Sequence, residues 1–433
     1  VAQAQNKFNK AFSYRDIDRI NKVISTKDSA FISIGYVGPY SALFGVMKID
    51  KNGDTLWVRQ VDVGVGAGDN GTEIINLKNG NILIGAWSGD TTYKQSTANL
   101  IWMDGNGNIK RIKKYGTNTN SERCNSIKER SNGNIVFSGY RYNPSGTDCD
   151  IYIVETDSVG NQIWEKQLGS SYSEFIKSMD FAADSGLILT GYQYNPNLVV
   201  NKLYLLKTDS AGNFLWEKLL GEEKEAVANK VISTKDSGFF VIGTIALTND
   251  SLAGYIVKTD KNGITQWERT YKGMSLSSNF SSGFLKNGAL YVSGHFSADP
   301  LNNQYYARLL KINPANGNIL LECRFRYFLV DSTQHYFWNM DSTIDNGFIL
   351  CGMTRDLRKN ASIGIQSWFV KTDSLGNDKS PLTLSQDFLM AEFCKGDSML
   401  LSSTNGYESY IWNNGETTQS ISVRSSGKYK VTA

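Results

Sequence analysis

A twelve-residue phrase occurs twice in this chain with little change. Lys207-Thr208-Asp209-Ser210-Ala211-Gly212-Asn213-Phe214-Leu215-Trp216-Glu217-Lys218 is matched by Glu155-Thr156-Asp157-Ser158-Val159-Gly160-Asn161-Gln162-Ile163-Trp164-Glu165-Lys166. Looser copies centre on Asp50, Asp104, Asp260, Asn313 and Asp373, so the anchor returns every 51–60 residues. A second landmark keeps the same time: a glycine closing a short apolar run, at Gly35, Gly85, Gly139, Gly191, Gly243, Gly294 and Gly352. Two independent landmarks in one period describe a repeat architecture, in which each unit is one supersecondary element that cannot bury its apolar face alone.

Each unit reads as four short strands. In one copy these are Lys230 to Ser233, Phe239 to Ile242, Tyr255 to Lys258 and Thr265 to Arg269, with turns at Lys235-Asp236-Ser237-Gly238 and Asp260-Lys261-Asn262-Gly263. Continuous apolar runs of four or five residues suit strands covered on both faces, while the last strand mixes Trp267 with charges, as an outer strand does. Four strands in about 50 residues is the blade of a β-propeller. The reading is therefore all-β: a seven-bladed propeller of four-stranded blades over residues 7–377.

The final unit lacks its fourth strand, because Asp373 to Asn377 runs directly into Asp378-Lys379-Ser380-Pro381 and proline cannot donate to a ladder. Phe8 precedes Gly35 by the same interval at which Trp164, Trp216 and Trp267 precede the glycine of the following unit. The register thus predicts that Phe8 to Phe12 supplies the missing outer strand and closes the ring, removing exposed edges. Residues 378–387 read as a linker. Residues 388–433, with Trp412 as core, read as a small β-sandwich module, whole or cut short.

Lys+Arg 45 against Asp+Glu 42 leaves a net charge of +3, with no basic footprint for nucleic acid. No apolar run is long enough to span a bilayer. The only histidines are His295 and His335, and no catalytic fingerprint or metal-ligand spacing occurs, so the sequence calls for no cofactor, no metal and no catalytic set. The repeated Asp-x-x-Gly-Asn reads as turn chemistry rather than a calcium loop, which needs more oxygens. Trp57, Trp164, Trp216 and Trp267 read as packing between blades. Cys124 and Cys149 flank the first two strands of one unit and are a candidate disulfide; Cys323 and Cys351 read as separate buried thiols.

Function is sought where the repeat breaks down, since sites sit on loops carried by a rigid scaffold. The segments after the strand-two glycines differ in every unit and are rich in aromatics. Tyr36, Trp87, Tyr140, Tyr142, Tyr192, Tyr194, His295 and Arg355 are the candidate ligand-binding residues, suited to a glycan or a protein surface. Seventeen residues before each glycine, Asp18, Glu122 and Glu174 are candidates for an acidic rim on a central channel, with solvated turn caps as the plainer alternative.

The Lys-Thr-Asp-x-x-Gly-Asn-x-x-Trp-Glu-Lys repeat resembles that of secreted bacterial β-propeller proteins exported by the type IX pathway, and residues 388–433 resemble the immunoglobulin-like, PKD-like modules that often precede their sorting domain. The resemblance implies a secreted or cell-surface, outer-membrane-associated protein. It also implies a chain that in relatives continues past Val431-Thr432-Ala433 with a further cysteine, so that a processed or truncated product is expected and Cys394 stands without a partner. The expected role is a binding module for a protein or glycan. A structural docking subunit of a surface or secretion assembly is the first alternative, and a polysaccharide hydrolase or lyase the second.

Overall fold

The computed structural model describes residues 6–12, 19–36, 43–63, 68–89, 96–117, 120–143, 148–196, 199–221, 224–248, 251–273, 277–299, 304–327, 333–358, 365–378, 382–384, 398–403, 410–425, 429 and 431–432. Strands Arg19–Ser25, Phe31–Tyr36, Phe44–Ile49 and Thr55–Val61 pair in sequence order as an antiparallel meander. The same order recurs over residues 68–115, 121–168, 173–220 and 226–271. An eight-stranded sheet follows. Its two halves, residues 278–325 and residues 333–372 with the Phe8–Phe12 strand, meet through the single parallel pair Tyr305–Gln334. No helix occurs among the described residues, and none is long and apolar enough to cross a membrane. The architecture is all-β and propeller-like, built of repeated four-stranded antiparallel sheets.

Burial follows strand order. The Phe239–Thr248 strand is buried over its first seven residues, whereas the outer Phe214–Leu220 strand alternates exposed and half-buried positions. Apolar side chains from facing sheets interleave into clusters, for example Ile188 and Leu205 with Val241 and Val257. Equivalent clusters join each sheet to the next, and the final one sets Ile349 and Phe369 of the last sheet against Ile20, Phe31 and Met47 of the first.

Both sequence landmarks have a physical cause. In the Asp-x-x-Gly-Asn hairpin, Asp209 Oδ1 accepts the backbone N–H of Ala211 at 2.9 Å and of Asn213 at 2.8 Å. Gly212 takes φ +79, and a Cβ there would stand 2.7 Å from the Trp164 ring of the preceding sheet. The outer-strand tryptophan therefore lies on the next sheet's turn glycine, as Trp57 does on Gly107, Trp216 on Gly263 and Trp267 on Gly317. The strand-two glycine answers a bulge in the first strand. A Cβ on Gly191 would sit 1.8 Å from the Phe175 carbonyl oxygen, just before the bulged residue Lys177, and Gly139, Gly243, Gly294 and Gly352 repeat that close approach.

The bulged residues hydrogen-bond from sheet to sheet. Asn21 Nδ2 donates to the Gly71 carbonyl (3.5 Å), Thr72 Oγ1 to Cys124 (2.5 Å), Asn125 Nδ2 to Ile176 (2.6 Å) and Asn229 Nδ2 to Phe280 (2.7 Å). Lys177 Nζ donates to Asn229 Oδ1 (3.0 Å). Asn339, the residue after the bulge in its strand, adds a further link, donating to Ser282 Oγ at 3.3 Å and accepting the Val23 N–H at 3.1 Å. The first strands thus line a central channel.

The Phe8–Phe12 strand pairs antiparallel with Ser367 to Lys371, as the register predicts. Trp368 Nε1 donates to Asn9 Oδ1 (2.7 Å), Lys7 pairs with Asp373 (3.0 Å), and Phe8 covers Gly53 of the first sheet just as the tryptophans cover theirs. Beyond this, Leu382–Leu384, Met399–Ser403 and Ser420–Val423 form a small sheet, so part of the expected linker is a strand. Trp412, Leu401, Ile421 and Val423 make the small core there.

The cysteine expectations are corrected. Cys124 and Cys149 are free, buried thiols. They sit opposite Gly139 and Tyr142, three residues apart on the strand between them, and so point to opposite faces of their sheet. Cys124 lies against Gly85 of the preceding sheet, while Cys149 Sγ is directed at the Glu174 carbonyl of the following one. Cys323, read as a thiol, is disulfide-bonded, and Cys351 is free. Cys394 lies outside the described residues.

Candidate functional site

Two residues before each bulge, the first strand faces a partner on the second strand at one mouth of the channel. These pairs are Arg19–Tyr36, Asn70–Trp87, Arg123–Tyr140, Phe175–Tyr192, Val227–Thr244, Asn279–His295 and Tyr336–Met353. Five of the eight sequence candidates, Tyr36, Trp87, Tyr140, Tyr192 and His295, occupy equivalent positions in this series. Tyr36 is exposed; the other four are half-buried.

Three consecutive sheets join these residues into one belt. The Arg123 guanidinium lies 4.1 Å over the Trp87 ring and donates from Nη1 to Tyr140 Oη at 3.1 Å. Tyr140 and Tyr142 stand edge-on to each other at 5.6 Å, and both flank Phe175 of the next sheet, at 5.1 and 6.4 Å. Phe175 stacks on Tyr192 at 4.7 Å and 17°, and the Lys177 ammonium sits 5.5 Å over Tyr192. Burial raises the Tyr140 phenol to about 12, against the opposing pull of Arg123, so it stays a neutral donor at physiological pH. The belt offers ring faces, a phenol and two cations, with Arg123 Nε buried and without a partner among the described residues.

A smaller group lies across the mouth. His295 stands edge-on to Tyr336 at 4.4 Å and near Tyr305 at 6.1 Å. Burial, aided by Arg308, pushes His295 down to about 3, so the ring is neutral at pH 7, and its Nδ1 has no partner among the described residues. Arg355 pairs in register with Gln334, two positions beyond Met353, and its Nε also has no partner among the described residues. Tyr194 is half-buried opposite Ser173, next to the belt.

The acidic candidates have another role. Glu122 is fully buried, accepting the Thr117 N–H at 3.1 Å and Arg141 Nε at 3.0 Å. Glu174, also fully buried, accepts Ser170 Oγ at 2.5 Å and Gln193 Nε2 at 2.9 Å. Both latch the segment entering a sheet to that sheet's second strand, and Asp69 holds its own entering segment through the Val63 N–H at 2.8 Å. Asp18 lies outside the described residues. Adjacent strand residues face opposite ways, so the position one step later, holding Arg123 and Phe175, is the one that reaches the belt. Arg123, Phe175, Lys177, Tyr305 and Tyr336 were missed by the sequence reading; counting sixteen residues back from the glycine finds Arg123, Phe175 and Tyr336.

No family model matches the chain, and no curated protein matches it. Among solved structures it is similar to a protein of unknown function from Bacteroides caccae (14% identity, 64% of this chain and 86% of that one, TM-score 0.39). It is also similar to the β-propeller domain of the Trilobed protease from Pyrococcus furiosus (10% identity, 84% and 96%, TM-score 0.45) and to a protein of unknown function from Dyadobacter fermentans (11%, 70% and 96%, TM-score 0.44). At those scores the similarities assign no activity.

Proposed function

We propose that this chain is a seven-bladed propeller that binds a glycan or protein partner at the channel mouth bearing Trp87, Arg123, Tyr140 and Tyr192. Seven blades follow if the eight-stranded sheet is taken as two blades bridged at Tyr305–Gln334, and the cycle of interleaved clusters from the last sheet back to the first supports that count. The residues after the linker are read as a small immunoglobulin-like module. The observation that carries the binding reading is the continuous cation–aromatic belt across three sheets, because rigid rings beside guanidinium and ammonium donors present large contact area at low entropic cost. Placement outside the cell is supported by the disulfide-bonded Cys323, since such bonds persist in oxidising compartments. A glycan array, followed by titration monitored through tryptophan emission, tests the reading. A ligand should perturb the emission of the native chain but not of Trp87→Phe, and should lose at least tenfold in affinity with Tyr192→Ala. A ligand bound equally well by both variants would place the site elsewhere.

A further inference from the structure

The charges that reach the belt are of one sign. Arg19 stands in register with the exposed Tyr36, Arg123 lies 4.1 Å over Trp87 and bonds Tyr140, and Lys177 sits 5.5 Å over Tyr192. None of the three meets a carboxylate among the described residues: Arg123 gives its hydrogen bond to a phenol and Lys177 to the amide oxygen of Asn229. The acidic neighbours of Asn70, Arg123 and Phe175 in sequence, Asp69, Glu122 and Glu174, face the other way and are committed to Val63, to Thr117 and Arg141, and to Ser170 and Gln193. A guanidinium stacked on a ring keeps in-plane N–H groups for an anion, and the stacking holds it in place without a counter-charge. Around the mouth, flat ring faces thus alternate with uncompensated cations, which suits a chain of rigid rings carrying charged substituents better than it suits an acidic peptide.

We propose that the belt's partner is an acidic polysaccharide, its sugar rings packed against Trp87, Tyr140 and Tyr192 and its carboxylate or sulfate groups held by Arg123 and Lys177. Such a ligand presupposes that the belt is the binding site, and it narrows the choice between glycan and protein to a charged glycan. Charge-assisted hydrogen bonds from the two cations fix where along the polymer each acidic unit sits.

The test titrates the full chain, followed by tryptophan emission at low and high salt, with matched pairs: polygalacturonate and alginate, each against its carboxyl methyl ester, and dextran sulfate against dextran. At least one acidic member should bind about tenfold tighter than its neutral counterpart at low salt, the worth of one charged hydrogen bond, and the margin should shrink as salt screens it. Preference among the uronates alone assigns carboxylate, and preference for dextran sulfate alone assigns sulfate. Arg123→Gln should remove most of the margin and Lys177→Gln part of it, whereas Lys261→Gln, exposed on a hairpin turn at the opposite side, should leave it intact. Arg123→Lys, which keeps the charge but loses the planar fork, should fall between and serves as the second variant if Arg123→Gln fails to fold. Neutral members bound as tightly as acidic ones overturn the proposal and leave the belt a site for uncharged glycan. Poly-glutamate bound through Arg123, with no glycan bound, overturns it in favour of an acidic protein segment. An acid preference unchanged in both Arg123→Gln and Lys177→Gln overturns it by placing the charge recognition elsewhere, and with no probe bound the acidic class falls.

Discussion

On the hairpin side of the molecule one ion pair is rebuilt sheet after sheet: Lys48–Asp28, Lys207–Asp184, Lys258–Asp236 and Lys371–Asp345, all at 2.8–2.9 Å. In each the lysine is almost fully buried, and its ammonium ties the third strand to the turn between the first two. In residues 121–168 the signs are exchanged, Arg130 standing in the turn and Glu155 on the strand, again at 2.9 Å. At the mouth, Glu122, Glu174 and Asp69 hold the entering segments, but the position one step later, which faces the belt, holds Arg123, Phe175, Val227 or Tyr336 in turn. What is repeated, even with its charges inverted, holds each blade's shape; what is not repeated is free to recognise something.

The largest expected effect breaks the ring itself. Phe8→Ala removes a buried ring from the cluster shared by the first and last sheets and should cost about 3 kcal/mol. Deleting residues 1–12 should cost more, because the Ser367 to Lys371 edge then loses its partner strand. Chemical denaturation checks both, and a deletion variant with an unchanged midpoint would show that closure does not depend on this strand.

Next come the hairpin latches. Lys207→Met should cost about 1–2 kcal/mol, less than a wholly buried pair because Asp184 is largely solvated. The inverted pair sharpens the argument. Glu155→Lys alone sets two cations together, and Arg130→Asp added to it should restore about 1 kcal/mol or more, measured as coupling in a double-mutant cycle. Additive effects would mean that the latch is incidental.

At the mouth, Arg123→Ala should change stability by about 1 kcal/mol or less, the usual value of a cation–aromatic contact at a partly exposed site, while weakening the partner's affinity. A stability loss larger than that of Lys207→Met, with affinity intact, would move the belt from recognition to architecture.

The fold was legible because its two anchors are backbone requirements: a glycine under a bulge and a glycine under a tryptophan cannot vary without clash, so they survive in every copy. The pairing of Phe8 with the last sheet was legible for the same reason. The site was legible on the second strand only, where Trp87, Tyr140 and Tyr192 stand out as aromatics after a glycine. Their neighbours were hidden by parity, since Glu122 and Arg123 are adjacent in sequence and face opposite ways. The disulfide proposed between Cys124 and Cys149 failed on the same ground: closeness along a hairpin says nothing about which face a side chain occupies. Lys207 and Asp184 were available to inspection as a repeated pair, yet the lysine sits in a phrase that reads as solvated turn sequence, and only the third strand's burial reveals its role.

The two faces should also titrate with opposite signs. Burial alone would raise Asp236, but hydrogen bonds from Thr234 and Lys258 outweigh it and hold the carboxyl at about 2; Asp28, Asp184 and Asp345 are lowered in the same way. Groups whose folded pKa is depressed stabilise above the unfolded value near 3.8, and that contribution is lost as pH falls through the folded value. At the mouth, burial raises Glu122, Glu174 and Asp69 despite their hydrogen bonds. Their charge costs stability at neutral pH, and the cost disappears as pH drops through the raised values. Stability should therefore hold or rise slightly from pH 7 towards about 4.5 and fall steeply below 4. Glu174→Gln, which keeps an oxygen for Ser170, should raise the neutral-pH midpoint and remove part of the rise. Asp236→Asn should lower the midpoint by about 1 kcal/mol or less at pH 7, given its exposure, and flatten the acid limb. If the two variants shift the pH profile in the same direction, the contrast between the faces does not extend to their electrostatics.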